Sequence, residues 1–92
     1  TRIVIVTPDI SKPIITLKGT DIVMELGTNY TELGATAMDI VDGNISGGII
    51  IDSSSIDTTK VGDYNVSYNI TDNAGNIAEE VIRLITIEDT IV

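Results

Sequence analysis

Two short polar stretches carry the residues best able to do chemistry: "MDIVDGN" at 38–44 and "TDNAGN" at 71–76. Asp39, Asp42 and Asn44 in the first, and Asp72, Asn73 and Asn76 in the second, offer carboxylate and amide oxygens. That is the donor set of a hard cation such as calcium, which takes about six to eight oxygen ligands. The spacing D-x-x-D-G-N does not match an EF-hand loop, which needs a longer ligand series. The competing reading is conformational. Asp42-Gly43 and Ala74-Gly75-Asn76 suit tight turns with glycine in the left-handed region. Asp72 can accept a hydrogen bond from the backbone N–H two residues on. On that reading both stretches are turns facing water.

Other chemistry is poorly served. The chain of 92 residues contains no His, Cys, Trp or Phe. This removes the usual nucleophile–base pairs, thiol chemistry and most zinc sites. Absence of cysteine excludes disulfides but names no compartment. Glycoside cleavage needs two carboxyl groups about 5–10 Å apart in a cleft, and so small a chain has little room for one. No enzyme is expected. A Lys–Asn isopeptide needs a lysine buried beside an acid, whereas Lys12, Lys18 and Lys60 all sit in polar, turn-like context. The net charge of -9, from 14 acids and 5 bases, repels nucleic acid and anionic membrane. No apolar run reaches the length of about 18 residues that spans a bilayer, and no signal peptide is visible.

Valine, isoleucine and threonine make up roughly two fifths of the chain, a composition typical of strands. Period two divides it into short segments. Ile14–Leu17 is one; Ile22, Met24 and Leu26 mark a second, ended by Gly27; Ala35–Asp39 is a third. Gly48–Asp52 follows, then a weak polar edge at Ser54–Thr58. The clearest alternation places Tyr64, Val66, Tyr68 and Ile70 on one face, with Asn65, Ser67, Asn69 and Thr71 on the other. A last strand runs from about Ala78 to Ile87, with Glu79-Glu80 breaking its phase and predicting a bulge. No segment sustains a helical apolar period. The expected fold class is all-β, an antiparallel two-sheet sandwich of about seven strands. Tyr64, Val66, Tyr68, Ile70, Leu17, Met24 and Ile85 are expected to be buried together. Tyr64, just after Gly62, is placed to bond the backbone in a tyrosine corner. Only Tyr30 is left for a sugar-stacking platform.

"RIVIV" at 2–6 is similar to "RLITI" at 83–87, and each has an acid close behind it. An offset of about 81 residues suggests tandem repetition. Residues 1–12 then read as the end of a preceding copy and a linker, 13–90 as the domain, and 91–92 as the start of the next linker. "PIITLKG" (13–19), "ELGTNYTELGATAMDIVDGNI" (25–45), "IDTTKVGDYNVSYNITDNAGN" (56–76) and "ITIEDT" (85–90) together resemble the bacterial Ig-like domain named after a pesticidal crystal protein. That family is related in pattern to hyalin-repeat modules. The resemblance implies an Ig-like sandwich of about 80 residues, found in tandem in secreted and surface-anchored bacterial proteins. It further implies a spacer or binding accessory, monomeric in isolation and partnered by neighbouring repeats.

An Ig topology brings the two polar stretches to one pole, with Asp9 arriving from the linker. Asp39, Asp42, Asn44, Asp72 and Asn76 are therefore the candidate calcium ligands. The favoured function is a non-catalytic spacer in an extracellular, adhesin-type array. The alternative is a module that contacts glycan or a host protein through its loop pole.

Overall fold

The "YNVSYNI" alternation forms the centre of a four-stranded sheet. A computed structural model describes residues 10–90. In chain order the strands are β1 (Ile14–Leu17), β2 (Ile22–Glu25), β3 (Ala35–Asp39), β4 (Gly43–Asn44), β5 (Ile50–Asp52), β6 (Gly62–Asn69) and β7 (Val81–Glu88), with one 3₁₀ turn at Ser46–Gly48. One sheet has the order β1-β3-β4 and the other β2-β7-β6-β5. The long pair β6–β7 is antiparallel, with Val66 opposite Arg83 and Tyr68 opposite Val81. The fold is the expected two-sheet sandwich.

Four local readings need correction. First, β2 runs parallel to β7, so the sheets are not wholly antiparallel. The chain leaves β1, crosses between sheets at 18–21, and meets β7 with no hairpin to reverse it. Second, Ser54–Thr58 forms no strand. Asp52 Oδ1 accepts from the backbone N–H and hydroxyl of Ser54, and Asp57 Oδ1 accepts from those of Thr59. Such local bonds offer the backbone an alternative to a ladder. Third, the seventh strand is instead the short β4, which follows a three-residue loop from β3. Fourth, Glu79-Glu80 makes no bulge, because β7 starts only at Val81 and pairs with β6 in unbroken register. Residues 1–7, read as a strand of a preceding copy, lie outside the described residues.

The core comprises Ile15, Ala37, Val66, Tyr68, Ile70, Ala78, Ile85 and Ile87. Leu17, Met24 and Tyr64 are only partly buried against it. Tyr64 makes the expected corner: its hydroxyl donates to the Lys60 carbonyl at 2.8 Å. Tyr30 is no exposed platform, since it too packs on the core.

The inward face of β7 carries one residue of the wrong chemistry for a core. Arg83 is 0% exposed. Its Nη1 donates to the Thr20 carbonyl at 2.6 Å, and its Nη2 to the carbonyls of Lys18 at 2.7 Å and Gly34 at 3.0 Å. Its Nε donates to the Tyr68 hydroxyl at 2.9 Å, and that hydroxyl donates to Glu32 Oε2 at 2.7 Å. Glu32 also accepts from the Tyr30 hydroxyl and from Gly34 N–H, both at 2.7 Å. Gly34 has φ of +88°, which only glycine adopts cheaply and which turns both its N–H and its carbonyl into this network. Burial pushes the Glu32 carboxyl up, but the hydrogen bonds from Tyr68, Tyr30 and Gly34, with the charge of Arg83, outweigh it and leave the carboxyl below its ordinary range. Burial, reinforced by Glu32, pushes the Tyr30 phenol well above its ordinary range.

Removing the guanidinium would take a donor from the carbonyls of Lys18, Thr20 and Gly34, of which Gly34 keeps the Lys18 N–H, and would break the link to the Tyr68–Glu32 pair. Breaking a buried charged network in this way costs about 3–5 kcal/mol, a large part of a small domain's stability. Urea unfolding of Arg83→Met should therefore lose most of the folded baseline. A midpoint within error of the parent would show the network to be energetically idle.

Candidate functional site

Asp39 ends β3 at the third inward position after Ala35 and Ala37, and is 5% exposed. Its Oδ2 accepts from the N–H groups of Val41 and Asp42, both at 2.9 Å. These bonds tighten the loop 40–42, which Gly43 then closes with φ of +76°. The other oxygen, Asp39 Oδ1, is buried with no hydrogen-bond partner.

The "TDNAGN" stretch is a closed turn. Thr71 bridges Ile77, and Asp72 N–H donates to the Asn76 carbonyl at 3.0 Å. Asp72 is 6% exposed. Its Oδ1 accepts from Ala74 N–H at 3.0 Å and Asn76 N–H at 2.8 Å, and its Oδ2 from Asn76 Nδ2 at 3.0 Å. The Asp72-to-Ala74 bond is the one that sequence spacing predicts. Gly75, the only turn residue with positive φ, sits at +91°.

Asp42 joins the two loops, its Oδ2 accepting from Asn73 N–H at 2.9 Å. Asp39, Asp42 and Asp72 each contribute a carboxylate oxygen to a group lying within 4.8 Å of one another. At an effective dielectric near 20, unit charges about 4–5 Å apart repel by about 3–4 kcal/mol per pair. The structure thus brings together three of the five expected ligands. Asn44 is turned elsewhere, its Oδ1 accepting from Ser46 N–H at 3.0 Å and Ser46 hydroxyl at 2.7 Å. Asn76 donates to Asp72 at the rim of the group. Asp9 lies outside the described residues.

Spacing alone did not reveal that Asp39 is buried. The signal was present in its phase with Ala35 and Ala37, which makes it an inward residue of β3. Likewise Arg83 is in phase with Val81, Ile85 and Ile87. Neither of these residues is a surface charge.

A family model described as "Bacterial surface protein, Ig-like domain" matches residues 15–87. The pesticidal crystal protein Cry22Aa of Bacillus thuringiensis is 30% identical over 74 residues, covering 75% of this chain and 10% of that protein. The lipoprotein BT2262 of Bacteroides thetaiotaomicron superposes with a TM-score of 0.70 at 23% identity, over 87% of this chain and 39% of that one, a likeness of fold alone. A structure of CBM51-2 in complex with GlcNAc and INT domains, from Clostridium perfringens ZmpB, gives a TM-score of 0.67 at 36% identity, over 86% of this chain and 17% of that one. The chain therefore spans about a tenth of its curated relative and well under half of each of these solved chains.

The turn's dependence on one carboxylate is directly testable. Asp72→Ala removes the acceptor of three donors and should lower stability by about 1–3 kcal/mol. Asp72→Asn keeps an oxygen for the Ala74 and Asn76 N–H groups, so it should recover more than half of that loss. Urea midpoints of the two variants decide the matter; equal losses would mean that charge, and not the turn bonds, is what Asp72 supplies.

Proposed function

The chain belongs to the bacterial surface Ig-like domain family, and we propose that it serves there as a non-catalytic spacer within a tandem extracellular array. The observation that carries this reading is the course of the chain. Ile10 and Lys12 line a groove with Gly75, Asn76, Ile77, Ala78, Glu79 and Glu80, just before β7 begins. Thr90 N–H donates to the Glu25 carboxylate, just after β7 ends. The eight residues of β7 separate these points, about 26 Å at the rise of an extended strand. A module entered at one end and left at the other threads head to tail.

Further features support it. Ile10, Ile14, Met38 and Ile40 are exposed at the incoming end, apolar surface that a preceding copy would cover. The arginine of "RIVIV" at residue 2 matches Arg83 of "RLITI". This likeness of pattern supports a preceding copy built to the same plan. The short share of each matched protein covered by this chain suits a module in a longer one. The chain's lack of His and Cys suits a role without catalysis. Among the described residues no helix is long and apolar enough to cross a membrane.

A second reading makes the loop pole a contact for glycan or a host protein; the GlcNAc-bound carbohydrate-binding module in the matched Clostridium perfringens chain favours it. The spacer reading predicts that small-angle scattering of the parent chain shows a maximum dimension growing by a constant increment per copy. Residues 1–92 alone should give no saturable signal on a glycan array. Saturable binding that is lost when the 38–44 and 71–76 loops are altered would replace the spacer with the contact module.

A further inference from the structure

We propose that the β3–β4 loop and the Thr71–Asn76 turn together bind one calcium ion, held by the carboxylates of Asp39, Asp42 and Asp72. Three acids within 4.8 Å would not by themselves make a site. The observation that turns them into one lies in Asp39, a member of that group only 5% exposed, whose Oδ1 is buried without a hydrogen-bond partner. Buried polar atoms are almost always satisfied, and a carboxylate oxygen without a donor calls for a cation. The other oxygen of the same carboxylate is already fixed by the Val41 and Asp42 N–H groups. The side chain is therefore held in place and cannot swing out to water.

The donor set selects the class of ion. It is all oxygen, in a chain with neither His nor Cys, which suits calcium or magnesium and not a softer metal. Calcium binds oxygen at about 2.3–2.6 Å, so two ligands on opposite sides of it lie up to about 5 Å apart. The carboxylate group fits within that span. Magnesium demands shorter bonds and regular octahedral geometry and sheds its waters reluctantly. Irregular loop carboxylates serve it less well. Solvent and backbone carbonyls complete a calcium shell, and the Asn73 N–H to Asp42 bond keeps the two loops in register for it.

The experiment is thermal unfolding of the 92-residue chain in chelator, in millimolar calcium chloride, and in magnesium chloride at equal ionic strength. At a hundredfold excess over Kd, calcium should raise Tm by roughly 10 °C or more, with magnesium giving less than half of that. Asp39→Asn keeps an oxygen for Val41 and Asp42 while removing the orphaned charge. It should unfold in chelator no earlier than the parent, and calcium should not shift it. Asp63→Asn, an exposed residue at the start of β6 and at the opposite end of that strand from the Thr71–Asn76 turn, should keep the full calcium shift. The proposal is overturned if the parent's curves in chelator and calcium coincide. It fails equally if magnesium matches calcium, or if Asp39→Asn and Asp63→Asn respond alike, since a diffuse acidic surface would then be what responds.

Discussion

A guanidinium with no exposure to water must find every acceptor inside the protein, and Arg83 finds them on three separate stretches of chain. Lys18 and Thr20 belong to the crossover between the sheets, and Gly34 leads into β3. Tyr68 stands on the neighbouring strand, with its ring 5.6 Å from the guanidinium carbon. Arginine is suited to this by its fixed fork of donors, which lysine lacks. The Lys18 and Thr20 carbonyls lie in the crossover outside the strand ladders, and the Gly34 carbonyl also accepts from Lys18 N–H, so the arginine satisfies crossover groups that the sheets leave over. The positive charge is answered by Glu32 through the Tyr68 hydroxyl, not by direct contact. One side chain thus ties both sheets together at the point where the chain changes sheet.

That clamp explains how a core of such modest side chains suffices. The buried apolar residues are mostly aliphatic, and two of the eight are alanines. Phe and Trp, which dominate most cores, are absent. With the sheets fixed by a polar network, the loops at the incoming end of the domain need not contribute packing. They are free to hold like charges close together, a geometry that costs stability until something neutralises it. One of these loops, through Gly75 and Asn76, borders the groove that Ile10 and Lys12 also line. An ion bound there would stiffen the part of the domain closest to the incoming chain.

Much of this was legible in the sequence because side chains in a half-buried strand alternate. Tyr64 to Ile70 gave β6 and its buried face, and the Asp72 to Ala74 spacing gave the turn. The losses came where polar side chains overrode the alternation. Asp52 and Asp57 captured the backbone at 54 and 59 and abolished an expected edge strand. Ser46 bonds Ala37 N–H at 2.8 Å and Asn44 at 2.7 Å, drawing Asn44 out of the acidic group. The burial of Asp39 and Arg83 went unread in the same way. Neither was assigned to the interior, although Asp39 is in phase with Ala35 and Ala37 and Arg83 with Val81, Ile85 and Ile87.

Arg83 and Glu32 act as one unit through the Tyr68 hydroxyl, although the two side chains do not share a hydrogen bond. A double-mutant cycle tests it most directly, using Arg83→Lys and Glu32→Gln, singly and together, with urea unfolding free energies for all four proteins. Residues in one network couple by about 0.5–3 kcal/mol, whereas independent sites add within about 0.3–0.5 kcal/mol. The relay through Tyr68 predicts coupling in the first range, with the double variant losing less than the sum of the two single losses. Simple additivity would contradict it, and would leave Arg83 holding backbone carbonyls alone.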